Sequence, residues 1–261
     1  VSGPRAGEAV TPVVLTHDEE RNLGRTLESL RWASRVLVVD SGSRDGTERI
    51  ARSFRNVAWT THPFESPGDQ WRFAISHEAV ETPYVLALDA DMAALPEFVD
   101  EVERAFLPGA FAGGSTAFRY AVGGRPLLGS LYPRDVRVLR RDRTTVLQRG
   151  HTHVFVPDGP VYRFRARLLH DDRKPFERWA RSQVGYAARE AARIRRGEGL
   201  RLRDRVRLAG LAPLPMFWLA WLRAGGPLRG RAALRYARER STFEALLARA
   251  LAEPPAEDEG A

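Results

Sequence analysis

The chain has 261 residues, 43% of them hydrophobic, and a formal net charge of +8, which allows one large α/β domain with an appendage and a substantial buried core. It contains no cysteine, which excludes disulfides and thiolate metal sites and fits a reducing compartment. The charge is uneven: residues 1–125 hold 13 arginines against 18 acids, and residues 126–261 hold 28 basic side chains against 15 acids.

The basic half suits an anionic membrane leaflet, a phosphorylated acceptor or nucleic acid. Lys174 is the single lysine; this arginine bias reflects GC-rich coding and does not point to a specific nucleic-acid partner. Residues 1–9 are small and polar, without a charged-then-apolar leader, and are expected to be disordered in a chain that starts in the cytoplasm. Val10 to Thr16 predicts a first strand. Thr16 followed by Glu19 predicts a capping box for the next helix, whose apolar stripe is Leu23, Leu27 and Leu30.

Val36 to Asp40 predicts a second buried strand ending in an acid. The small-residue turn Ser41 to Thr47 follows, then a helix burying Ile50 and Phe54. Two strand-turn-helix units imply a parallel sheet, with ligands beyond the carboxyl ends of its strands. The Gly42/Gly46 turn serves either as a tight reversal or as a close approach for a nucleotide, with Asp40 accepting from a base N–H. A short strand at 57–60 and a helix at 70–79 bring Arg72 towards the same edge.

Tyr84 to Asp91 is the pivotal stretch, an apolar strand stopping at Asp89 and Asp91. Extended backbone would point both acids the same way. They form either a solvated turn or a socket for a divalent ion on a diphosphate, since Mg²⁺ and Mn²⁺ take one or two carboxylates with substrate phosphates and water. Pro96 then starts a helix carrying Phe98, Val102 and Phe106.

After Pro108 shorter strands predict a sheet of mixed direction. His151 and His153, two apart, are metal ligands or the wall of a polar pocket. Leu168 to Pro175 places His170, Asp171, Asp172, Arg173 and Lys174 between a strand end and a helix start, where the acids complement the helix dipole and pair with Arg173 and Lys174, or do chemistry. Leu208 to Leu222 is uncharged but too short and too proline-broken to span a bilayer. It lies on a membrane surface or packs against the protein, with Trp218 and Trp221 as interfacial anchors in the first case. A final amphipathic helix over 236–251 and an acidic tail at 253–261 complete the chain.

Asp40 with Ser41-Gly42-Ser43-Arg44-Asp45-Gly46-Thr47, followed by Leu88-Asp89-Ala90-Asp91, resembles the family 2 glycosyltransferases. Val13 to Leu23 is similar to that family's opening, with Asp18 where many relatives have Asn. His170 to Pro175, with Arg178-Trp179, Gln183, Tyr186-Ala187 and Glu190-Ala191, is similar to the C-terminal signature of bacterial lipopolysaccharide core and cell-envelope sugar transferases. The resemblance covers about residues 10–250.

It implies a GT-A fold, a Rossmann-like α/β mixed sheet flanked by helices, with a C-terminal helical, membrane-associating extension. The nucleotide-sugar half is expected at 10–107, the acceptor half at 108–195 and the helical extension at 196–252. The donor, most simply a UDP-sugar, is expected on Thr16, Asp18, Glu19, Asp40, Ser41, Ser43, Arg72 and Asp89. Mg²⁺ or Mn²⁺ is expected on Asp89 and Asp91, with Asp91 the direct ligand. His151, His153, His170, Arg173 and Lys174 fall on the acceptor and phosphate side.

The implied reaction inverts the sugar, so a base must serve an acceptor hydroxyl, and Asp171 or Asp172 fits. Asp172 beside Arg173 is the expected ion-pair partner, leaving Asp171 ahead. The acceptor is expected to be a lipid-linked or cell-envelope glycan, and the enzyme peripheral on the inner face of the cytoplasmic membrane. A nucleotidyltransferase on a similar sheet, or a non-catalytic basic module binding lipid or nucleic acid, are the alternatives.

Overall fold

The computed structural model describes residues 5–149, 152–197 and 202–253. The chain opens with a helical turn, α1 (Ala6–Ala9), and continues through β1 (Val10–Thr16), α2 (Leu23–Glu28), β2 (Val36–Asp40), α3 (Thr47–Arg52), β3 (Val57–Thr61), α4 (Pro67–Ser76), β4 (Tyr84–Asp89), β5 (Met92–Ala93) and α5 (Pro96–Glu101). Then come β6 (Gly113–Thr116), β7 (Phe118–Val122), β8 (Arg125–Pro126), β9 (Asp135–Arg140), β10 (Thr144–Arg149), β11 (Thr152–Pro157), β12 (Val161–Arg163) and β13 (Leu168–His170). Among the described residues four α-helices follow, α6 (Phe176–Arg195), α7 (Leu202–Leu208), α8 (Pro213–Ala224) and α9 (Gly230–Ala252).

These elements form two compact units, an α/β unit of residues 1–126 with 132–173 and a helical unit of residues 127–131 with 174–261. Within the helical unit α6 packs with α9 through Ala187, Ala191 and Ile194 against Leu247. Residues 5–9, expected to be frayed, are ordered: Ala6 is buried and its amide donates to Glu103 Oε1 at 2.8 Å.

In the α/β unit seven strands run in the order β12-β6-β9-β4-β1-β2-β3. β1 to β4 are mutually parallel where they pair, and β9 runs antiparallel to both β4 and β6. Alternation along each central strand sorts side chains to two faces. Val36, Val38, Leu86 and Leu88 join Leu23, Leu27, Phe98 and Phe106 on one side. Leu37, Val39, Val85 and Ala87 join Trp71, Ala74, Ile75 and Phe155 on the other. Burial on both faces explains why these strands are near-continuous apolar runs. A second, smaller sheet, β5-β13-β7-β8, carries the His170 strand.

Two predicted helix starts move. Thr16 does not cap a helix; its hydroxyl donates to Asp40 Oδ1 at 2.9 Å, and α2 begins at Leu23 after an intervening turn. α4 begins at Pro67, three residues earlier than expected, because Ser66 Oγ accepts from the Asp69 amide and Pro67 occupies the first turn, where its missing N–H costs nothing.

In the helical unit α8 and α9 pack through small side chains, with Ala220, Ala224, Ala233 and Ala237 all buried. Gly225 ends α8 in the left-handed conformation (φ 107), and a Cβ there would lie 2.9 Å from the Leu128 side chain. The interior of this unit holds an ion cluster. Arg207 grips Glu244 with two bonds of 2.6 and 2.9 Å and reaches Glu190 at 3.1 Å, while Arg193 binds Glu190 and Asp204 at 3.0 and 3.2 Å. Burial alone would lower the Arg207 pKa, but its carboxylate partners more than offset that and raise it. Arg207→Ala leaves Glu244 buried without its bidentate partner, and we expect about 3–5 kcal/mol of destabilisation, measured by chemical denaturation.

Candidate active site

The carboxyl ends of β1, β2 and β4 form one edge, with Thr16 in register with Asp40 and Leu15 with Asp89. Asp40 and Asp89 thus flank β1, about 10 Å apart at the backbone from two strand spacings. The loop after β1 and the turn after β2 are laced together by hydrogen bonds. Asp18 N donates to Ser43 Oγ at 2.7 Å, Arg44 N to Asp18 Oδ1 at 2.7 Å and Glu19 N to Thr47 Oγ1 at 2.7 Å. Ser41 N and Oγ both donate to the Thr16 carbonyl.

Asp18 has φ 53, a left-handed conformation that Asn and Asp tolerate best among residues with a side chain. That accounts for the resemblance's interchange of Asn and Asp at this point. Asp40 is buried and accepts from Thr16 Oγ1, Ser43 Oγ and the amides of Gly42 and Ser43. Those four bonds match the capacity of a carboxylate. Asp40 is therefore the post on which the turn is built.

Asp89 and Asp91 make different direct contacts, because a turn at 90–91 separates β4 from β5, although both charges act on Arg137. Asp89 Oδ2 lies 3.4 Å from Arg137 Nη1, and Arg137 Nε lies 3.2 Å from Asp135 Oδ2. Arg137 is buried; burial alone would lower its pKa, but Asp89 and Asp135 prevail and raise it, so it is a permanent cation. Asp91 Oδ2 instead lies 3.8 Å from His170 Nε2. The His170 ring stacks on Tyr120 with centroids 4.7 Å apart and abuts Tyr132 at 5.0 Å.

The two acidic motifs meet through the backbone. β5 pairs antiparallel with β13, placing His170 opposite Met92, and Asp171 N donates to the Asp91 carbonyl at 2.9 Å. The two neighbouring acids beyond β13 then differ. Asp171 is buried, with Oδ2 accepting from Arg173 Nε at 2.8 Å and Oδ1 from the Gly124 amide at 3.0 Å. That amide is presented by the tight Gly123-Gly124 turn between β7 and β8, both residues left-handed at φ 57 and 79, as such a two-residue hairpin turn requires. Asp172 is half-buried and accepts from Asn22 Nδ2 at 2.9 Å. Arg173 Nε therefore pairs with Asp171, where the sequence had pointed to Asp172 as its ion-pair partner.

Arg25 and Arg137 carry no motif signal, and Asn22, though within the Val13–Leu23 segment, carries no site role in the sequence. Asn22 is fully buried; its Nδ2 donates to Glu19 Oε2 and Asp172 Oδ1, and its Oδ1 accepts from Arg25 Nη2 and Arg173 N, all at 2.8–2.9 Å. Its amide bonding capacity is complete. Arg25 also donates to the Asp171 carbonyl at 2.8 Å, and burial together with the neighbouring Arg173 lowers its pKa. The available signal was compositional: Asn22 is one of only two asparagines.

The remaining expected residues are more peripheral. Arg72 is exposed by about half, with a long 4.0 Å approach to Asp69. His153 packs against Trp71 and Phe155, so it forms a wall, and burial lowers its pKa despite the Asp89 charge. His151 lies outside the described residues, and Lys174 is the first residue of the second stretch of the helical unit. Among the described residues no three His, Asp or Glu side chains could together hold a metal ion. An ion completed by phosphate oxygens and water needs only one or two carboxylates, and Asp91 with Asp89 supplies that number.

In a mainly parallel sheet ligands bind beyond the carboxyl ends of the strands, and here that edge is tipped with acids and meets a second acidic motif. The sequence profile of glycosyl transferase family 2 matches residues 12–168, and this chain belongs to that family. The lipopolysaccharide core biosynthesis glycosyltransferase LpsC of Rhizobium meliloti (strain 1021) is 31% identical over 172 residues, 60% of this chain and 61% of that protein. The chain therefore covers less than two thirds of that relative's length. Residues 1–349 of S. aureus TarS, crystallised with UDP-GlcNAc, superpose with a TM-score of 0.50 at 14% identity over 92% of this chain and 90% of that one. The fold is GT-A, a mixed α/β sheet flanked by helices and followed by C-terminal helices.

Proposed function

We propose that this chain is a metal-dependent, inverting glycosyltransferase that moves a sugar from a UDP-sugar to a hydroxyl of a lipid-linked or cell-envelope glycan. Its place would be the inner face of the cytoplasmic membrane. The observation that carries the reading is the bond from Asp171 N to the Asp91 carbonyl, which puts the metal-type acids and the base candidate at one edge. The name of LpsC supports the glycan class, and the UDP-GlcNAc bound to TarS makes UDP the first nucleotide to test.

The nucleoside would rest on the laced platform of residues 16–22 and 40–47. Asp91, with Asp89 beside it, would hold Mg²⁺ or Mn²⁺ on the diphosphate; the ion, when bound, would supply positive charge to the departing phosphate. Arg137 would orient Asp89 through its 3.4 Å contact. Asp172, held by Asn22, would take the proton of the acceptor hydroxyl as its oxygen bonds to the anomeric carbon. The bond from that carbon to the phosphate oxygen breaks on the opposite face, and UDP leaves with the electron pair. His170, His153 and Arg173 would line the acceptor and phosphate side.

Ligand-dependent thermal stabilisation tests this. At about 100 times its Kd, UDP with Mn²⁺ should add about 2.7 kcal/mol, a shift of a few degrees in Tm. No shift from any nucleoside diphosphate, with or without metal, would contradict the reading.

A further inference from the structure

We propose that the outer face of α8 is a docking surface for an anionic lipid bilayer, with the helix lying in the plane of the interface. This rests on the membrane location proposed above and supplies its contact surface and lipid chemistry. Charge is the first observation. The α/β unit has 23 basic and 23 acidic side chains, whereas the helical unit has 18 basic and 10 acidic, so the whole net charge of the protein resides in the helical unit. Within it, residues 205–238 contain seven arginines and no acid.

The second observation is an apolar stripe in the middle of that stretch. Leu214, Trp218 and Leu222 are 68%, 51% and 66% exposed, and their four-residue spacing sets them along one side of α8; Leu211, just before the helix, is 67% exposed. The opposite side of α8, at Ala220 and Ala224, is the one buried in the unit. Leu228 in the following turn is 83% exposed. Arg205 before the stripe and Arg223, Arg229 and Arg231 after it are all exposed.

Twelve residues of helix extend about 18 Å, short of the roughly 30 Å hydrocarbon core. Among the described residues no helix is long and apolar enough to cross a membrane. A short helix with leucines and a tryptophan outward, set among arginines without acids, matches the interface between acyl chains and anionic headgroups. A second copy of this chain is the less suitable occupant, since stacking two such faces would bring like charges together.

The test is flotation of the full chain with vesicles of phosphatidylcholine alone or with about one third phosphatidylglycerol. Binding should require the anionic lipid, weaken as salt is raised and fall at least about tenfold in Leu214→Ser/Trp218→Ser/Leu222→Ser. Arg223→Glu/Arg229→Glu, which leaves the stripe intact, should weaken binding and reduce its salt dependence. UDP-dependent stabilisation, retained in both variants, verifies that they are folded and reports on the donor site separately. Absence of vesicle binding by the wild type, binding unchanged in both variants, or a dimer in solution that the stripe variant dissolves would overturn the proposal. Vesicle binding without any UDP response would leave the docking surface standing and count against the enzymatic reading alone.

Discussion

Asp172→Asn is expected to lower sugar transfer by about 10²–10⁴-fold, the usual contribution of a positioned general base, while UDP binding is kept. Asparagine is nearly isosteric with aspartate, so the packing around Asn22 persists, but it cannot accept the acceptor proton at neutral pH. The contrast with its neighbour is the informative part. Asp171 is buried under bonds from Arg173 and Gly124, so Asp171→Asn removes the charge partner of Arg173 and should appear first as lost stability. Initial rates on a UDP-sugar and a glycan acceptor, with denaturation curves for both variants, separate the two effects. Loss of turnover in a fully stable Asp171→Asn, with an active Asp172→Asn, would reverse the assignment.

Asp91→Ala is the second large effect. Removing the proposed direct ligand should reduce turnover by about 10³-fold or more, on the scale of deleting a charge-stabilising group in a dry site. It should also abolish the dependence of UDP affinity on Mn²⁺. Asp89→Ala differs because Asp89 faces the buried Arg137, which would be left with Asp135 as its remaining carboxylate contact at this distance. That variant should lose stability as well as activity, whereas Asp91→Ala should keep its stability. Calorimetric titration of UDP with and without Mn²⁺ distinguishes them.

Much of the α/β unit was legible because its strands are buried on both faces and therefore stand out as apolar runs ending in acids, as at Asp40 and Asp89. Helix ends were less legible. Thr16 and Glu19 have capping-box spacing, yet Thr16 is used by Asp40 across two neighbouring strands, a long-range competition that local spacing does not encode. The ion pair of Arg173 with Asp171 was likewise hidden: Arg173 follows Asp172 directly, but β13 pairing aims the Asp171 carboxylate at Gly124 and Arg173 instead. Asn22 and Arg137 gather partners from distant parts of the chain, so no periodicity could announce them. The partner of α6 was equally illegible: its helical spacing is plain, but that its apolar side meets Leu247 of α9 is a long-range contact.

Crystals grown with UDP and Mn²⁺, examined at the manganese absorption edge, test the central claim most directly. The account predicts an anomalous peak about 2.1–2.2 Å from a carboxylate oxygen of Asp91 and bonded to the diphosphate, with the uridine on the platform of residues 16–22 and 40–47. A manganese bound elsewhere, or a nucleotide away from the carboxyl ends of β1, β2 and β4, would contradict it.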